Sequence, residues 1–259
     1  MNKNTAMALA AIVLFGGMLA VNTLANVLPL NGLSTKQVSD LYPSLFTPAG
    51  VTFSIWSVIY LLLFGFVILA WARRHHNFIR NLMPWFMVTC VLNMCWILAW
   101  HFLLPAVSVM IMLLLLFSLM RIFMIVDSHP PADRKERVFV YLPFTLYFGW
   151  ISVATIANIS AFLVHLKWQG GFLSPEQWTV VMMCVAAGLS AVMAVRFRAW
   201  AFVMVVMWAL VGIYLRWDGT VYANIPRTAI ALLMALTAIF FFSLRTPSSG
   251  EIVDVHKGS

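Results

Sequence analysis

The sequence predicts an all-α protein, a polytopic transmembrane helix bundle of about eight spans with both termini inside. Three observations predict it. Of its 259 residues, 63% are hydrophobic and only 9% are charged, whereas a soluble domain is roughly half apolar and about a quarter charged. The apolar residues fall in blocks close to the ~20 residues needed to cross a bilayer, at 6–28, 49–72, 83–104, 106–126, 138–164, 177–196, 198–216 and 226–244. With the N-terminus inside, twelve of the sixteen Lys and Arg fall on the inner side, and only Lys36, Lys167, Arg216 and Arg227 fall outside. Basic residues concentrate on the cytoplasmic side of membrane proteins, and N-in with C-in requires an even number of spans.

Taken in order, the first apolar run follows Met1-Asn-Lys-Asn and resembles a signal peptide, but 6–30 is long enough to span and reads as a retained helix. A polar, turn-rich link at 29–48 then faces outside. Pro48 fits the first turn of the second helix, where its missing N–H is no loss. Helices three and four form a tight hairpin at Pro105, and a charged link at 127–137 (Asp-Ser-His-Pro-Pro-Ala-Asp-Arg-Lys-Glu-Arg) lies inside. The formal charge of +8 is scattered between apolar blocks, so it reads as a topology signal and nucleic acid is excluded as a partner. Cys90, Cys95 and Cys184 lie inside apolar runs without a CxxC or a His/Cys cluster. Neither a disulfide framework nor a metal site is expected.

The tryptophans divide into two groups. Trp71, Trp85, Trp168, Trp178, Trp200 and Trp217 sit near predicted helix ends, as an interfacial belt requires. Trp56, Trp96, Trp100, Trp150 and Trp208 sit deeper. Most of these fall on three stripes of helical spacing: Phe53, Trp56 and Tyr60 on the second helix; Asn93, Trp96 and Trp100 on the third; Tyr147, Trp150, Ala154 and Asn158 on the fifth. An Asn at membrane depth needs a partner that lipid does not supply, so the Asn-bearing faces point into the bundle. Two readings of these stripes stand on residue pattern alone. One is interhelical packing with Asn hydrogen bonds and aromatic filler. The other is a cavity walled by Trp and Tyr for a flat apolar ligand, with Ala154 leaving room for it.

No Asp, Glu or Lys lies in the middle of a predicted span, and His101 is placed near the outer interface. A proton- or sodium-coupled pump usually carries intramembrane carboxylates or broken helices, so that class is disfavoured. Ser, His and Asp never cluster at usable spacing, and the chain is not expected to be an enzyme.

The stripes, with Pro43, Ser44 and Pro48 ahead of Trp56 and Tyr60, resemble the TspO/MBR family of tryptophan-rich sensory proteins, which includes the mitochondrial translocator protein. Leu92, Asn93, Trp96 and Phe102 match that family's third helix, and Tyr147, Trp150, Ala154 and Asn158 its fifth. The chain departs from the pattern at Leu45, Thr47, Gly50 and Leu146. The resemblance implies a five-helix unit over 1–165; the sequence extends beyond that unit with an additional three-helix segment over 166–245 and a short polar tail over 246–259. It also implies an integral protein of a bacterial inner membrane, contacting lipid and able to form a homodimer. It implies no required cofactor, but a planar hydrophobic ligand: a tetrapyrrole such as protoporphyrin IX or haem, or a sterol. Pro48, Phe53, Trp56, Tyr60, Asn93, Trp96, Trp100, Tyr147, Trp150, Ala154 and Asn158 would bind it, under a lid made by 29–48. An uncoupled transporter or permease, and a porphyrin-degrading membrane enzyme, are the alternatives.

Overall fold

The computed structural model describes residues 2–28, 30–168 and 170–245. Among these there is no strand, and eight helices are long and apolar enough to cross a membrane. The polar tail expected at 246–259 lies outside the described residues. The spanning helices are α1 (Lys3–Val27), α3 (Ile55–Ala72), α4 (Asn77–His101), α5 (Pro105–Asp127), α7 (Leu142–His165), α8 (Pro175–Phe197), α9 (Trp200–Trp217) and α10 (Asn224–Arg245). Two short helices, α2 (Thr35–Leu41) and α6 (Arg134–Glu136), lie in the two long links. The chain is an integral multi-pass membrane protein.

Helix ends follow their capping chemistry. Ser34 opens α2 and Ser174 opens α8 through capping boxes with Gln37 and Gln177. Pro105 and Pro175 occupy first turns. The bend from α8 to α9 is made at Arg198, whose φ of 50° is left-handed.

Three boundaries differ from expectation. Pro48 is not in an α-helical turn: a 3₁₀ turn at Gly50–Ser54 intervenes before α3. Its fixed ring leads an extended Ala49 whose N–H bonds outside the helix, to the Gly212 carbonyl at 2.9 Å. The third span begins at Asn77 instead of 83, so Pro84 lies inside α4; a spanning helix tolerates this where neighbours re-satisfy the freed carbonyl. The fifth span starts as a π-helical turn at Arg137–Tyr141.

α4 packs on α1 and α5, α5 on α7, α7 on α9, and α9 on α8 and α10, while α3 lies against α1 and α7. We call the end bearing Lys3, 73–76 and the 128–133 link the inner end. There Arg73 pairs with Asp133 and, at 2.7 Å, with the nearly buried Glu136. The backbone N–H of Glu136, then Arg73, hold the Asp133 carboxyl below its ordinary value.

Candidate functional site: a tryptophan-walled pair of chambers

The 3₁₀ turn and the start of α3 bring Phe53, Trp56 and Tyr60 to the centre of the outer half. Trp56 stacks on Tyr60 (ring centroids 5.3 Å) and on Trp96 of α4 (6.4 Å), and Trp96 stacks on Trp100 (6.2 Å). From α7, Trp150 meets the edges of both Phe53 (5.8 Å) and Trp56 (6.2 Å). Three helices distant in sequence, α3, α4 and α7, therefore converge on one indole, Trp56.

Two chambers share this wall. The first, between α4, α7 and the lid, is lined by Pro48, Phe53, Trp56, Trp96, Trp100 and Trp150, floored by Ala154, Asn158 and Ala161, and holds only about 50 Å³. The second, between α1, α3 and α4, holds about 410 Å³ and is lined by Phe53, Trp56, Tyr60 and Trp96 on one side and by Asn22, Thr23 and Asn26 on the other. Only the second lies in the range of small-molecule sites, about 300–1,000 Å³. The first has room for little more than water. An outer vestibule of about 220 Å³, edged by Lys36, Asp40 and Arg216, adjoins both through Phe53 and Pro48 or Gly50.

Two of the expected ligand residues, Asn93 and Tyr147, line neither chamber. Asn93 is fully buried: it accepts from Asn22 Nδ2 at 2.7 Å and donates to the Tyr147 hydroxyl at 3.0 Å. Tyr147 sits behind Trp56, ring edge to face at 5.7 Å. Both are occupied in fastening α1, α4 and α7. Asn158 does double duty, accepting from Ser108 of α5 at 3.1 Å while lining the first chamber. Sequence reasoning missed Asn22, although the rule applied to the other two Asn residues, that a polar group at depth needs a partner, identifies it equally well.

Several polar groups around Trp56 have no partner. The indole N–H groups of Trp96 and Trp150 are buried without a hydrogen bond, as is the Tyr60 hydroxyl. An unmet buried donor costs about 1–3 kcal/mol, so three of them around one ring form an unfilled set of donors. Among the described residues no group of three or more His, Cys, Asp or Glu could hold a metal ion. The site's chemistry is aromatic stacking and hydrogen-bond donation.

A family model described as TSPO-like protein matches residues 8–242, from within α1 to within α10. The chain belongs to the TSPO-like family. The match does not stop near residue 165 but continues through α8–α10. Neither the search of curated proteins nor that of solved structures returned a significant match. Membership points to a membrane sensor, receptor or transporter.

In this TSPO-like chain the 30–48 link covers both chambers. Thr35 lines each of them, and Ser39 and Thr47 line the first. His101, expected at the interface, is fully buried and latches the lid. Its Nδ1 lies 3.4 Å from the Leu30 carbonyl and its Nε2 lies 3.0 Å from the Thr35 hydroxyl. Trp100 donates to the Thr35 carbonyl at 3.4 Å, and Tyr42 packs on Trp100 and His165. Burial raises the Tyr42 phenol above its ordinary pKa, keeping it protonated. Trp217, expected in the interfacial belt, instead donates to the Leu45 carbonyl at 2.7 Å.

Proposed function

We propose that this protein is a receptor or carrier of a bacterial inner membrane that binds, without transforming, a planar hydrophobic ligand of tetrapyrrole or sterol type. The observation that carries the reading is the pair of unpartnered donors, Trp96 and Tyr60, in the wall of a chamber of about 410 Å³ lined by stacked rings, with the unpartnered Trp150 behind Trp56 on the side of the smaller chamber. Faces of Trp56 and Trp96 suit stacking on a flat π-system, and the donors suit its polar edge. Lys36 and Arg216 at the vestibule suit acidic side arms of the kind a protoporphyrin carries. In this reading the ligand lies against α1 as well as α3 and α4, because Asn22, Thr23 and Asn26 line the larger chamber.

Titration of purified protein with protoporphyrin IX, followed by tryptophan quenching, tests this. Saturable binding is expected, weakened in Trp56→Phe and Trp150→Phe. Parent-like affinity in both variants would remove the site from this place. A carrier role is favoured by the vestibule that adjoins both chambers. Flux of labelled ligand in proteoliposomes separates a carrier from a receptor, which binds without flux. Cross-linking in the membrane tests the homodimer that the resemblance implies.

A further inference from the structure

The wall that the chambers share does not stand on its own helix alone. Residues 45–53, which supply Thr47, Pro48, Gly50 and Phe53 to the chambers and the vestibule, run through irregular backbone and a 3₁₀ turn. Such segments leave carbonyls without helical partners. In this chain side-chain donors from the outer half of α9 reach three carbonyls of the segment, including that of Thr52, which also accepts from the Ile55 N–H. Trp208 Nε1 donates to the Thr52 carbonyl at 2.9 Å, Arg216 Nη1 to the Pro48 carbonyl at 3.5 Å and Trp217 Nε1 to the Leu45 carbonyl at 2.7 Å. In return the Gly212 carbonyl accepts from Ala49 N–H at 2.9 Å. Trp208, Gly212 and Arg216 recur every fourth residue and so form one stripe.

Gly212 is the closest point of approach: a Cβ there would overlap Thr52 Oγ1 and crowd Pro48 and the Thr52 side chain. No side chain fits between α9 and the wall. The same stripe reaches the lid, because Arg216 lies 3.9 Å from Asp40 of α2, which Lys36 also contacts at 2.6 Å. α9 is itself seated on α7, where Gly149 faces the Phe202 backbone and Val205.

We propose that α9 is the gating brace of this site: Trp208, Gly212 and Trp217 are positioning residues that hold the 45–53 wall closed, and ligand passes the vestibule when that wall swings from α9. The inference rests on the proposed chamber for its functional meaning, but the brace can be tested without ligand. It gives α8–α10 a role that the chamber residues do not reveal.

The test uses the full chain in lipid nanodiscs. Hydrogen exchange is measured without ligand, and protoporphyrin IX association and dissociation are followed by porphyrin emission. The double variant Trp208→Phe/Trp217→Phe keeps both rings and removes both donors. Exchange at amides 49–53 is expected to rise on the order of tenfold, and both probe rates by a similar factor, while α4 and α7 keep parent exchange. Trp178→Phe on α8, which removes an equivalent bond to the Gly170 carbonyl in the preceding link, should leave 49–53 and the probe rates unchanged. Unchanged exchange at 49–53 in the double variant overturns the brace. Raised exchange with unchanged probe rates overturns the gate. If the double variant does not assemble, Trp217→Phe alone is read in the same way with a smaller effect. If the parent binds no protoporphyrin, the ligand reading fails and the exchange arm still decides the brace.

Discussion

The helices α3, α4 and α7 meet twice, and the two meetings differ. In the inner half, Phe66, Phe86 and Phe144 pack edge to face with centroids 4.7–6.0 Å apart, joined by Phe15 of α1. All four are buried. Close by, Gly65 lies so near Phe139 that a Cβ would overlap the ring. In the outer half the same helices present Trp56, Trp96 and Trp150, and there the chambers open and donors go unmet. The phenylalanine layer shows that this sequence can close the bundle with rings alone. In the tryptophan layer, larger rings with polar atoms sit where the phenylalanine layer closes the bundle with hydrocarbon rings alone, and that difference supports the proposed pocket.

The contrast can be broken in four ways. Phe86→Ala should destabilise the protein by about 3–5 kcal/mol, read as a lowered unfolding midpoint, with protoporphyrin affinity of the folded fraction unchanged. A loss of affinity there would mean that the two layers are not separable. Asn93→Ala sits at their junction, and leaving Asn22 and Tyr147 without it should cost about 1–3 kcal/mol and also loosen the backing of Trp56. Both midpoint and affinity should fall.

Trp96→Phe and Trp150→Phe remove N–H groups that bond to nothing in the protein, and the relief of that unmet donor offsets the smaller ring's lost burial, so stability should shift by less than about 1 kcal/mol while affinity falls roughly tenfold. A large stability loss with parent affinity would return these rings to the role of packing. The smallest effect concerns pH. The Asp133 carboxyl at the inner clip is depressed below its ordinary 3.8, so its contribution is complete above that value and is lost as pH falls through the lower folded one. Amide exchange at 133–137 should rise as the pH is lowered below the ordinary carboxylate range, whereas indole hydrogen bonds to carbonyls in the outer layer do not titrate.

Much of the fold was legible because a bilayer imposes length and polarity on each segment. The positions of Trp56, Trp96 and Trp150 were legible because helical spacing and a shared Asn-bearing face locate a side chain. Spacing does not report whether a polar group is already occupied, and so Asn93 and Tyr147 read as ligand groups when they bond to each other. Trp217 read as a belt residue because its acceptor, the Leu45 carbonyl, lies 172 positions away, and backbone acceptors leave no mark in sequence.

The indole stack has an optical consequence. Trp56, Trp96 and Trp100 lie nearly parallel, with interplanar angles of 28° and 20° between successive rings. Rings this close exchange excitation faster than they emit, so the three behave as one chromophore. An absorber bound against any one of them would darken all three together. Tryptophans remote from this stack, such as Trp85 and Trp200 toward the inner end, would supply a separate, steadier emission. Occupancy of the chamber would then be written into the protein's own light as a step in one component, with no label attached.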